Sequence, residues 1–359
     1  MSTYYILPGN PSSQYPYDTL QVAASSLYLL VSSGVLEAGD AVEVIEHGTG
    51  TEPEAPTVSI PDIILRSYVG NTGKPTINAA QHSAFIDINA DGFKMYDLVV
   101  KAYSSSLGLS GLVQCIDNND LGIERCLFKA YDSDIDCALN ISGGSGHRII
   151  NTVTSGMPFG GINFFSSTLT QDVIIANNII YDVIRPVAIR VSRTTRGYVI
   201  NNIIHTAPGD GINFGSDVVD VIQDYNCLYN IEGDEYAGEA VRGLNNLDKT
   251  SHGGQGPDPL LKDPANDDFT LVTRSPCVDT GFLVQGVTPE YDYYNNLRGS
   301  LIDIGVYEYP QSSFCQIQRL TRGVGHSMIP THTAGMANHM FVGRGICIPP
   351  DKQRFKTHY

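Results

Sequence analysis

The sequence predicts an all-β fold, a right-handed parallel β-helix in which one chain winds into a solenoid of stacked coils. Two short aliphatic patterns recur about every 25 residues, separated by glycine, asparagine, aspartate and serine. One coil of such a chain cannot bury its own inward-facing residues, whereas stacked coils form continuous aliphatic rows. The composition agrees, because 36 glycines, 19 prolines and a charged fraction of only 17% describe a chain dense in turns.

The first repeated pattern centres on an asparagine. The segment IIANNII aligns with VINNII, which places Asn178 above Asn202 at a step of 24 residues, and Asn226 follows after another 24. Stacked amides can form a hydrogen-bonded ladder along the axis, so we expect a structural role for these three residues. Upstream, the alignment continues the column through three residues: Thr152, Arg125 and Asp97.

The second repeated pattern is the segment GINF, which occurs at 161–164 and again at 211–214. Its aliphatic residue recurs at positions 86, 113, 139, 162, 189 and 212. Strand alternation predicts that the residue after each of these points outward, which places six polar side chains in a row on one sheet. The row consists of Asp87, Gln114, Asn140, Asn163, Arg190 and Asn213.

The remaining segments divide the chain into four parts. Residues 1–60 are predicted to form an N-terminal strand and a capping helix, since Thr19–Val35 has apolar residues at helical spacing. A cap of this kind would cover the exposed edge of the first coil. Residues 61–232 form the coils, 233–310 a loop and a closing β unit, and 311–359 a C-terminal extension.

The C-terminal extension differs from the rest of the chain in its charge. Residues 311–359 carry six basic residues against Asp351 alone, a net charge of about +5, whereas residues 1–310 carry about −21. A basic segment on an acidic body suggests docking onto its own solenoid, a neighbouring subunit or another protein, and a disordered tail is the open alternative. No heptad pattern supports a coiled coil, so a homo-oligomer is left open.

Charge and composition exclude several classes of function. The formal charge of −16 and the pI of about 4.8 argue against non-specific nucleic-acid or anionic-membrane binding. No apolar stretch reaches the roughly 18 residues of a membrane span, and no basic segment precedes an apolar one at the N-terminus, so Sec export is not expected. Seven cysteines without a CxxC pair indicate neither a zinc site nor a disulfide framework.

Motifs near both ends resemble those of right-handed β-helix proteins related to the pectate-lyase superfamily. At the start these are a Tyr-Tyr-Ile strand at 4–6 and a Gly-Asp-Ala-Val strand at 39–42. The closing motifs are more specific: DPL at 258–260, DPANDDF at 263–269, SPCVDTG at 275–281 and DIGVYE at 303–308. The resemblance covers residues 4–309 and implies a polysaccharide groove along an outer sheet face. With no export signal and an added tail, the chain is also similar to phage virion proteins, which implies a virion or extracellular location.

The outward row has the chemistry of a glycan-binding surface. Amides and a carboxylate suit sugar hydroxyls, and Arg190 could bind a uronate carboxylate. The alternative is that the row is an ordinary solvent-exposed β face, which is polar whether or not it binds a ligand. For catalysis, Arg190, Arg193, Asp210 and Asp136 form the best available set, because both aspartates precede their repeated aliphatic residues closely enough to lie near the same face. They do not amount to a recognisable acid–base pair.

These observations favour a structural or assembly protein of a phage virion, such as a tail spike, fibre or surface decoration, with glycan contact on the outer face. The alternative is a polysaccharide lyase or glycoside hydrolase acting on an acidic glycan, and an adhesin is a third possibility. No cofactor is expected. The run Asp263–Asp268 could bind Ca²⁺, but it lacks EF-hand spacing and is better explained as turn chemistry.

Overall fold

The protein is a parallel β-helix, as the repeats predicted. The computed structural model describes residues 2–6, 22–24, 27–45, 50–52, 55–69, 71–79, 85–103, 111–131, 137–165, 168–184 and 187–310. The predicted C-terminal extension, 311–359, therefore lies outside the described residues. Within the described chain, parallel strands stack into three sheets, and each coil contributes one strand to each sheet in turn.

The three sheets, which we name A, B and C, contain ten, eight and eight strands among the described residues. Sheet A consists of β1 (Thr3–Ile6), β2 (Val22–Ala24), β3 (Ala41–Val44), β6 (Ile64–Ser67), β9 (Lys94–Tyr96), β12 (Gly122–Glu124), β15 (Arg148–Ile150), β18 (Thr170–Ala176), β21 (Thr194–Ile200) and β24 (Val219–Asp224). Sheet B consists of β4 (Gly50–Glu52), β7 (Thr76–Ala79), β10 (Val99–Ala102), β13 (Leu127–Ala130), β16 (Val153–Ser155), β19 (Ile179–Tyr181), β22 (Ile203–Ala207) and β25 (Cys227–Ile231). Sheet C consists of β5 (Thr57–Val58), β8 (Ile86–Ile88), β11 (Val113–Ile116), β14 (Leu139–Ser142), β17 (Gly160–Phe164), β20 (Val187–Val191), β23 (Asp210–Phe214) and β26 (Tyr236–Gly238).

The core is a set of aliphatic rows inside the solenoid. In sheet C the repeated aliphatic positions pair in register, as Ile162 does with Leu139 on one side and Ile189 on the other. These side chains are fully buried because the coils above and below cover them. A single coil could not exclude water from them. The sheets include strands on both sides of the predicted coil range 61–232, since β1, β3 and β26 join the same stacks.

The asparagine ladder lies at the corner between sheets A and B. The backbone N–H of Asn178 donates to Asn202 Oδ1 at 3.0 Å, and the N–H of Asn202 donates to Asn226 Oδ1 at 3.0 Å. Thr152 extends the ladder on one side and Asn246 on the other. These amides satisfy backbone groups that the turn leaves unpaired inside the protein, which confirms their predicted structural role.

The upstream part of this column was predicted wrongly, by one residue. Because β13 pairs Leu127 with Val153, the residue level with Thr152 is Cys126 and not Arg125. Arg125 and Asp97 belong to the adjacent column, whose residues adopt the left-handed backbone conformation with φ between 48° and 56°. That column consists of Asp97, Arg125, Asn151, Asn177, Asn201 and Tyr225.

The N-terminal helix is shorter than predicted. Among the described residues of Thr19–Val35, strand β2 lies at Val22–Ala24 and helix α1 at Leu27–Ser32. Strand β2 pairs in parallel with β1, so this part of the segment extends the edge of sheet A. Leu27 and Leu30 of α1 are buried against the first coil, and they account for the apolar spacing seen in the sequence.

The segment after the last coil first continues the stack and then folds back along the solenoid. Helix α2 (Lys249–His252) begins with a capping box at Asp248. Beyond it, β27 (Leu261–Asp263) and β28 (Asp268–Leu271) form an antiparallel pair joined by a 3-10 turn at Pro264–Asn266. We call residues 261–309 the closing unit.

The closing unit packs on the outer face of sheet B. Its apolar residues Phe269, Cys277 and Ile304 form one buried cluster with the outward residues of successive coils, including Val153 and Ile179. Sheet B therefore carries an aliphatic row on its outer face as well as on its inner one, because the closing unit covers that outer row. Among the described residues, no helix has both the length and the apolar character needed to cross a membrane.

Candidate functional site

The six predicted row residues lie side by side on the outer face of sheet C. Asp87 pairs with Gln114, Asn140 with Asn163, and Arg190 with Asn213 in consecutive parallel registers. All six are half-buried, whereas their strand neighbours are buried in the core. Rungs about 4.8 Å apart make the row roughly 24 Å long.

The row contains polar atoms that the protein itself leaves without partners. Asn163 Nδ2 donates to Asn140 Oδ1 at 3.4 Å, but the buried Asn163 Oδ1 has no hydrogen-bond partner. Partial burial raises the pKa of the Asp87 carboxyl group above its usual value. The accessible parts of the six half-buried side chains can exchange hydrogen bonds with the hydroxyls of a bound ligand.

Arg190 occupies the most distinctive position in the row. Its guanidinium carbon lies 4.2 Å from the centre of the Phe165 ring, which is 53% exposed and follows β17 directly. Stacking on the ring restricts the guanidinium while its Nε is buried without a partner. The planar cation is thus held beside an exposed aromatic ring, on the same face as the amides.

The predicted catalytic residues do not all come together. Asp210 reaches the row through Asn213, whose Nδ2 donates to Asp210 Oδ2 at 3.1 Å. Arg193 lies past the end of β20, where its Nε is 3.7 Å from Asp217 Oδ2, so it belongs to the corner between sheets C and A. Asp136 lies outside the described residues. Arg190 and Asp210 are therefore the two candidates that the structure brings to one surface.

A second site lies where the closing unit meets the first coils. A groove of about 1130 Å³ runs between the corner of sheets A and B on one side and Tyr293 and Tyr294 of the closing unit on the other. We call it the corner groove. Its solenoid wall includes Lys74 at the start of β7 and the left-handed turn residues Asp97 and Arg125.

The wall of the corner groove is a cluster of interacting charges. Arg125 binds Asp97 through two parallel hydrogen bonds of 2.9 Å, and Lys74 Nζ lies 3.4 Å from the same carboxylate. Lys74 Nζ also donates to the carbonyl of Arg125 and lies 3.3 Å from the centre of the Tyr293 ring. Burial lowers the pKa of Lys74 to about 8, although Asp97 opposes the shift.

Neighbouring ionisable groups respond to the same burial. Burial raises the pKa of Glu124, and the adjacent Arg125 acts in the opposite direction. The pKa of the Tyr293 hydroxyl is raised well above its usual value, also mainly by burial. The shifted groups Lys74 and Tyr293 meet in the corner groove, and perturbed ionisable groups that converge in a cleft mark a candidate functional site.

The corner groove was not predicted from the sequence. Lys74 and Tyr293 are more than 200 positions apart, and no repeat links them. The sequence alignment was also wrong by one residue in the asparagine column and assigned Arg125 and Asp97 to the ladder. Their actual position, at a turn that faces outward, was therefore missed. One sequence feature did indicate that sheet B is covered. Its strands contain adjacent aliphatic residues, as in Ile179–Ile180 and Ile203–Ile204, so aliphatic side chains point both inward and outward. Outward aliphatic side chains must be covered by another part of the protein.

The predicted acidic run at 263–268 is engaged in contacts within the protein. Asp263 accepts a hydrogen bond from Asn266, Asp267 pairs with Lys101 and Lys129, and Asp268 pairs with Lys262. Within the described part of the chain, no three histidine, cysteine, aspartate or glutamate residues are arranged to hold a metal ion. The Ca²⁺ prediction thus gains no support from these residues.

Comparison with known proteins places this chain near several solved β-helix structures. No protein-family description and no curated protein sequence matches it. A pectin methylesterase from Aspergillus niger has a TM-score of 0.39 and 16% identity over 68% of this chain and 94% of that one. The pectate lyase Pel9A has a TM-score of 0.40 and 13% identity, covering 86% and 97% of the two chains. A rhamnogalacturonan lyase has a TM-score of 0.40 and 12% identity, covering 73% and 91%. At this level of similarity neither the sites nor the substrates of those proteins carry over.

Proposed function

We propose that this protein binds a uronate-containing polysaccharide along the row on the outer face of sheet C. The observation that carries this proposal is the arrangement of Arg190, which is held over the exposed Phe165 ring within a continuous line of half-buried amides. In the bound state the amides exchange hydrogen bonds with sugar hydroxyls, and Arg190 binds one carboxylate. The ring of Phe165 offers a face on which a pyranose can pack.

The overall charge of the protein limits the kind of polysaccharide that fits. The row residues have no net formal charge, since Asp87 and Arg190 are of opposite sign, but the whole chain carries a formal charge of −16. A densely anionic polymer would be repelled by this field. We therefore favour a chain in which uronates alternate with neutral sugars, so that one carboxylate meets Arg190 and the neighbouring sugars meet the amides.

The test is the affinity for hexasaccharides in which uronates alternate with neutral sugars, measured by titration calorimetry, with hexagalacturonate as the densely charged comparison. We expect Arg190→Ala to weaken binding by about tenfold or more, since a hydrogen bond to a charged group contributes about 1.5–3 kcal/mol. Arg196→Ala is the matched control, because Arg196 is an exposed arginine on sheet A paired with Asp172. Equal loss in both variants, or no binding by the wild-type protein, would overturn the proposal.

A lyase or hydrolase activity at the same row is the catalytic form of this proposal. Of the predicted catalytic residues, Arg190 lies in the row and Asp210 contacts it through Asn213, so they are the candidates for carboxylate binding and proton transfer. β-Elimination would raise the ultraviolet absorbance of a uronate polymer, whereas hydrolysis would release reducing ends without that rise. If the wild-type protein binds the polymer and produces neither signal, the row is a binding surface only.

A structural role in a virion is the second candidate, and it depends on the charge of residues 311–359. Their net charge of about +5 against about −21 for the rest of the chain suits docking onto an acidic surface of another subunit. Deleting residues 311–359 should leave a folded solenoid by circular dichroism but abolish assembly on a sizing column. A truncated protein that assembles like the full chain would exclude this role for the extension.

A further inference from the structure

The corner groove has features of a ligand site that differ from those of the row. It lies between strands of the first coils and the closing unit, whose lining residues are at least 140 positions apart in the sequence. Its volume of about 1130 Å³ slightly exceeds the roughly 300–1,000 Å³ of sites for drug-sized molecules. The groove therefore has room for a short oligomer.

Charge in the corner groove is compensated from within. Its four cationic side chains are paired with three carboxylates of the same groove, and Arg125 also pairs with the adjacent Glu124. These pairs are Arg66 with Glu43, Lys74 and Arg125 with Asp97, and Lys101 with Asp267. An anionic polymer would therefore have to break an existing ion pair, and the remaining carboxylate would lose its partner at a cost.

Ion-paired groups can still exchange hydrogen bonds with uncharged hydroxyls. The guanidinium of Arg66 and the carboxylate of Asp97 are part-exposed at the groove wall, so donors and acceptors alternate along it. A sugar with several hydroxyls can use both kinds of group without separating the pairs. The lowered pKa of Lys74 agrees with this. Burial makes the charged form of its amine less favourable in the groove than in water.

Tyrosine rings supply the other element of sugar recognition. Tyr294 is 44% exposed and is fixed on two sides by edge-on contacts, with Tyr293 at 5.0 Å and Tyr307 at 5.8 Å. Tyr293 in turn is pinned by Lys74. A rigid, exposed aromatic ring can pack against a pyranose at a low cost in conformational entropy.

We propose that the corner groove binds a neutral oligosaccharide, at a second carbohydrate site independent of the row on sheet C. The juxtaposition that carries the proposal is a fixed, exposed tyrosine ring opposite a wall of mutually compensated charges. Neutral hexasaccharides enter this groove, whereas uronate chains use the row. The two sites would allow the protein to hold a polysaccharide that has both acidic and neutral segments.

The absence of tryptophan from the chain permits a direct test with fluorescent reporters. Thr72→Trp places a single tryptophan at an exposed position of the groove wall, and Phe165→Trp places one beside Arg190 on the row. The probes are cellohexaose, xylohexaose and mannohexaose, with hexagalacturonate as the acidic counterpart. We expect at least one neutral hexasaccharide to produce a saturable change in the emission of the Thr72→Trp protein but not of the Phe165→Trp protein.

A second variant tests the role of the tyrosine ring. Tyr294→Ala should weaken binding of the neutral hexasaccharide about tenfold by calorimetry, and Tyr294→Phe should retain it. Tyr131→Ala is the matched control, since Tyr131 is 49% exposed and does not line the groove. Arg190→Ala should leave neutral binding unchanged, which separates this site from the row.

Three results would overturn the proposal. These are a silent Thr72→Trp reporter with all three neutral probes, equal affinity in Tyr294→Ala and the wild-type protein, and displacement of the neutral sugar by hexagalacturonate. Because the reporter sits at an exposed position, the first result is informative even if Tyr294→Ala does not fold. Loss of uronate binding in Arg190→Ala with neutral binding intact would support both sites at once.

Discussion

The outer faces of sheets B and C are built by the same strand alternation and yet differ in almost every property. On sheet C the outward residues are half-buried amides and charges, and the described residues include no segment packed over the row. On sheet B one outward row of successive coils is aliphatic, as at Val153 and Ile179, and the closing unit covers it. The solenoid geometry fixes which side chains point out, but their chemistry depends on what comes to lie on that face.

The difference extends to how each face uses its polar groups. Under the closing unit, polar side chains are buried and almost fully paired, as at Arg298 and at the asparagine ladder. On the row, the six polar side chains are only half-buried, so part of each remains accessible to solvent. A substitution on the covered side should therefore affect stability, whereas the same kind of substitution on the row should affect binding.

The largest expected effect is at Arg298, which joins the closing unit to the solenoid. Its side chain is 1% exposed, and its Nη2 donates to Asn151 Oδ1 at 2.8 Å and to the carbonyl of Gly305 at 2.9 Å. Its Nη1 lies 3.3 Å from Glu308 Oε2. Arg298→Ala leaves Glu308 buried without its cation, so we expect the free energy of unfolding in urea to fall by about 3–5 kcal/mol.

The control for Arg298 is an arginine of the same type at the surface. Arg196→Ala removes an ion pair of 2.9 Å with Asp172, but Arg196 is 62% exposed. Exposed pairs contribute about 0–1 kcal/mol, so the unfolding free energy should change by no more than that. Similar losses in the two variants would mean that the closing unit is not held by its buried network.

The second prediction compares an asparagine of the ladder with one of the row. Asn202→Ala leaves the N–H of Asn178 and the carbonyl of Ile175 without their partners inside the protein. Each unpaired buried group costs about 1–3 kcal/mol, so we expect the unfolding free energy to fall by at least about 2 kcal/mol. Asn140→Ala on the row should change it by less than about 0.5 kcal/mol.

Calorimetry with the same two variants sharpens the comparison. Asn140→Ala should weaken binding of the uronate hexasaccharide, whereas Asn202→Ala, where it remains folded, should bind as the wild-type protein does. The opposite pattern, with the row variant unstable and the ladder variant deficient in binding, would contradict the division of roles between the two columns.

The sequence was sufficient for the row and the ladder, and the reason is repetition of identical residues. GINF occurs twice and Asn-Asn twice at fixed steps, so Asn163, Asn213, Asn178 and Asn202 could be aligned without knowledge of any long-range contact. Where no residue repeats, the alignment failed by one position, as at Arg125. In a parallel stack, a slip of one residue moves every side chain to a different environment.

The corner groove and the closing unit could not be predicted in this way. Their contacts join residues such as Lys129 and Asp267, or Asn177 and the carbonyl of Asp303, which share no periodic relation. The closing motifs were visible in the sequence, but the face on which they pack depends on long-range packing. Only the aliphatic residues on both faces of sheet B, such as Ile179 and Ile180, indicated that a cover was present.

The most specific effect concerns pH. Burial, and then the nearby Glu308, raise the pKa of Asp303 from 3.8 to about 7. The folded protein therefore holds a proton on Asp303 that the unfolded chain releases near pH 4, so this group stabilises the fold fully below about pH 4. Its contribution is lost as the pH rises towards 7, by up to about 1.4 kcal/mol per pH unit. In Asp303→Asn, the unfolding free energy should fall less steeply between pH 5 and pH 7 than in the wild-type protein.

The control is a carboxyl group shifted in the opposite direction. Hydrogen bonds from the backbone N–H and the side chain of Asn119 lower the pKa of Asp91, which lies at an exposed corner. Asp91 is ionised in both the folded and the unfolded states above pH 5, so Asp91→Asn should leave the slope between pH 5 and pH 7 unchanged. The measurement is a series of urea unfolding curves at fixed ionic strength. Asp303→Asn could instead retain the full pH dependence of the unfolding free energy seen in the wild-type protein. Asp303 would then be ionised in the folded protein, and its buried carboxylate must be compensated by Arg298.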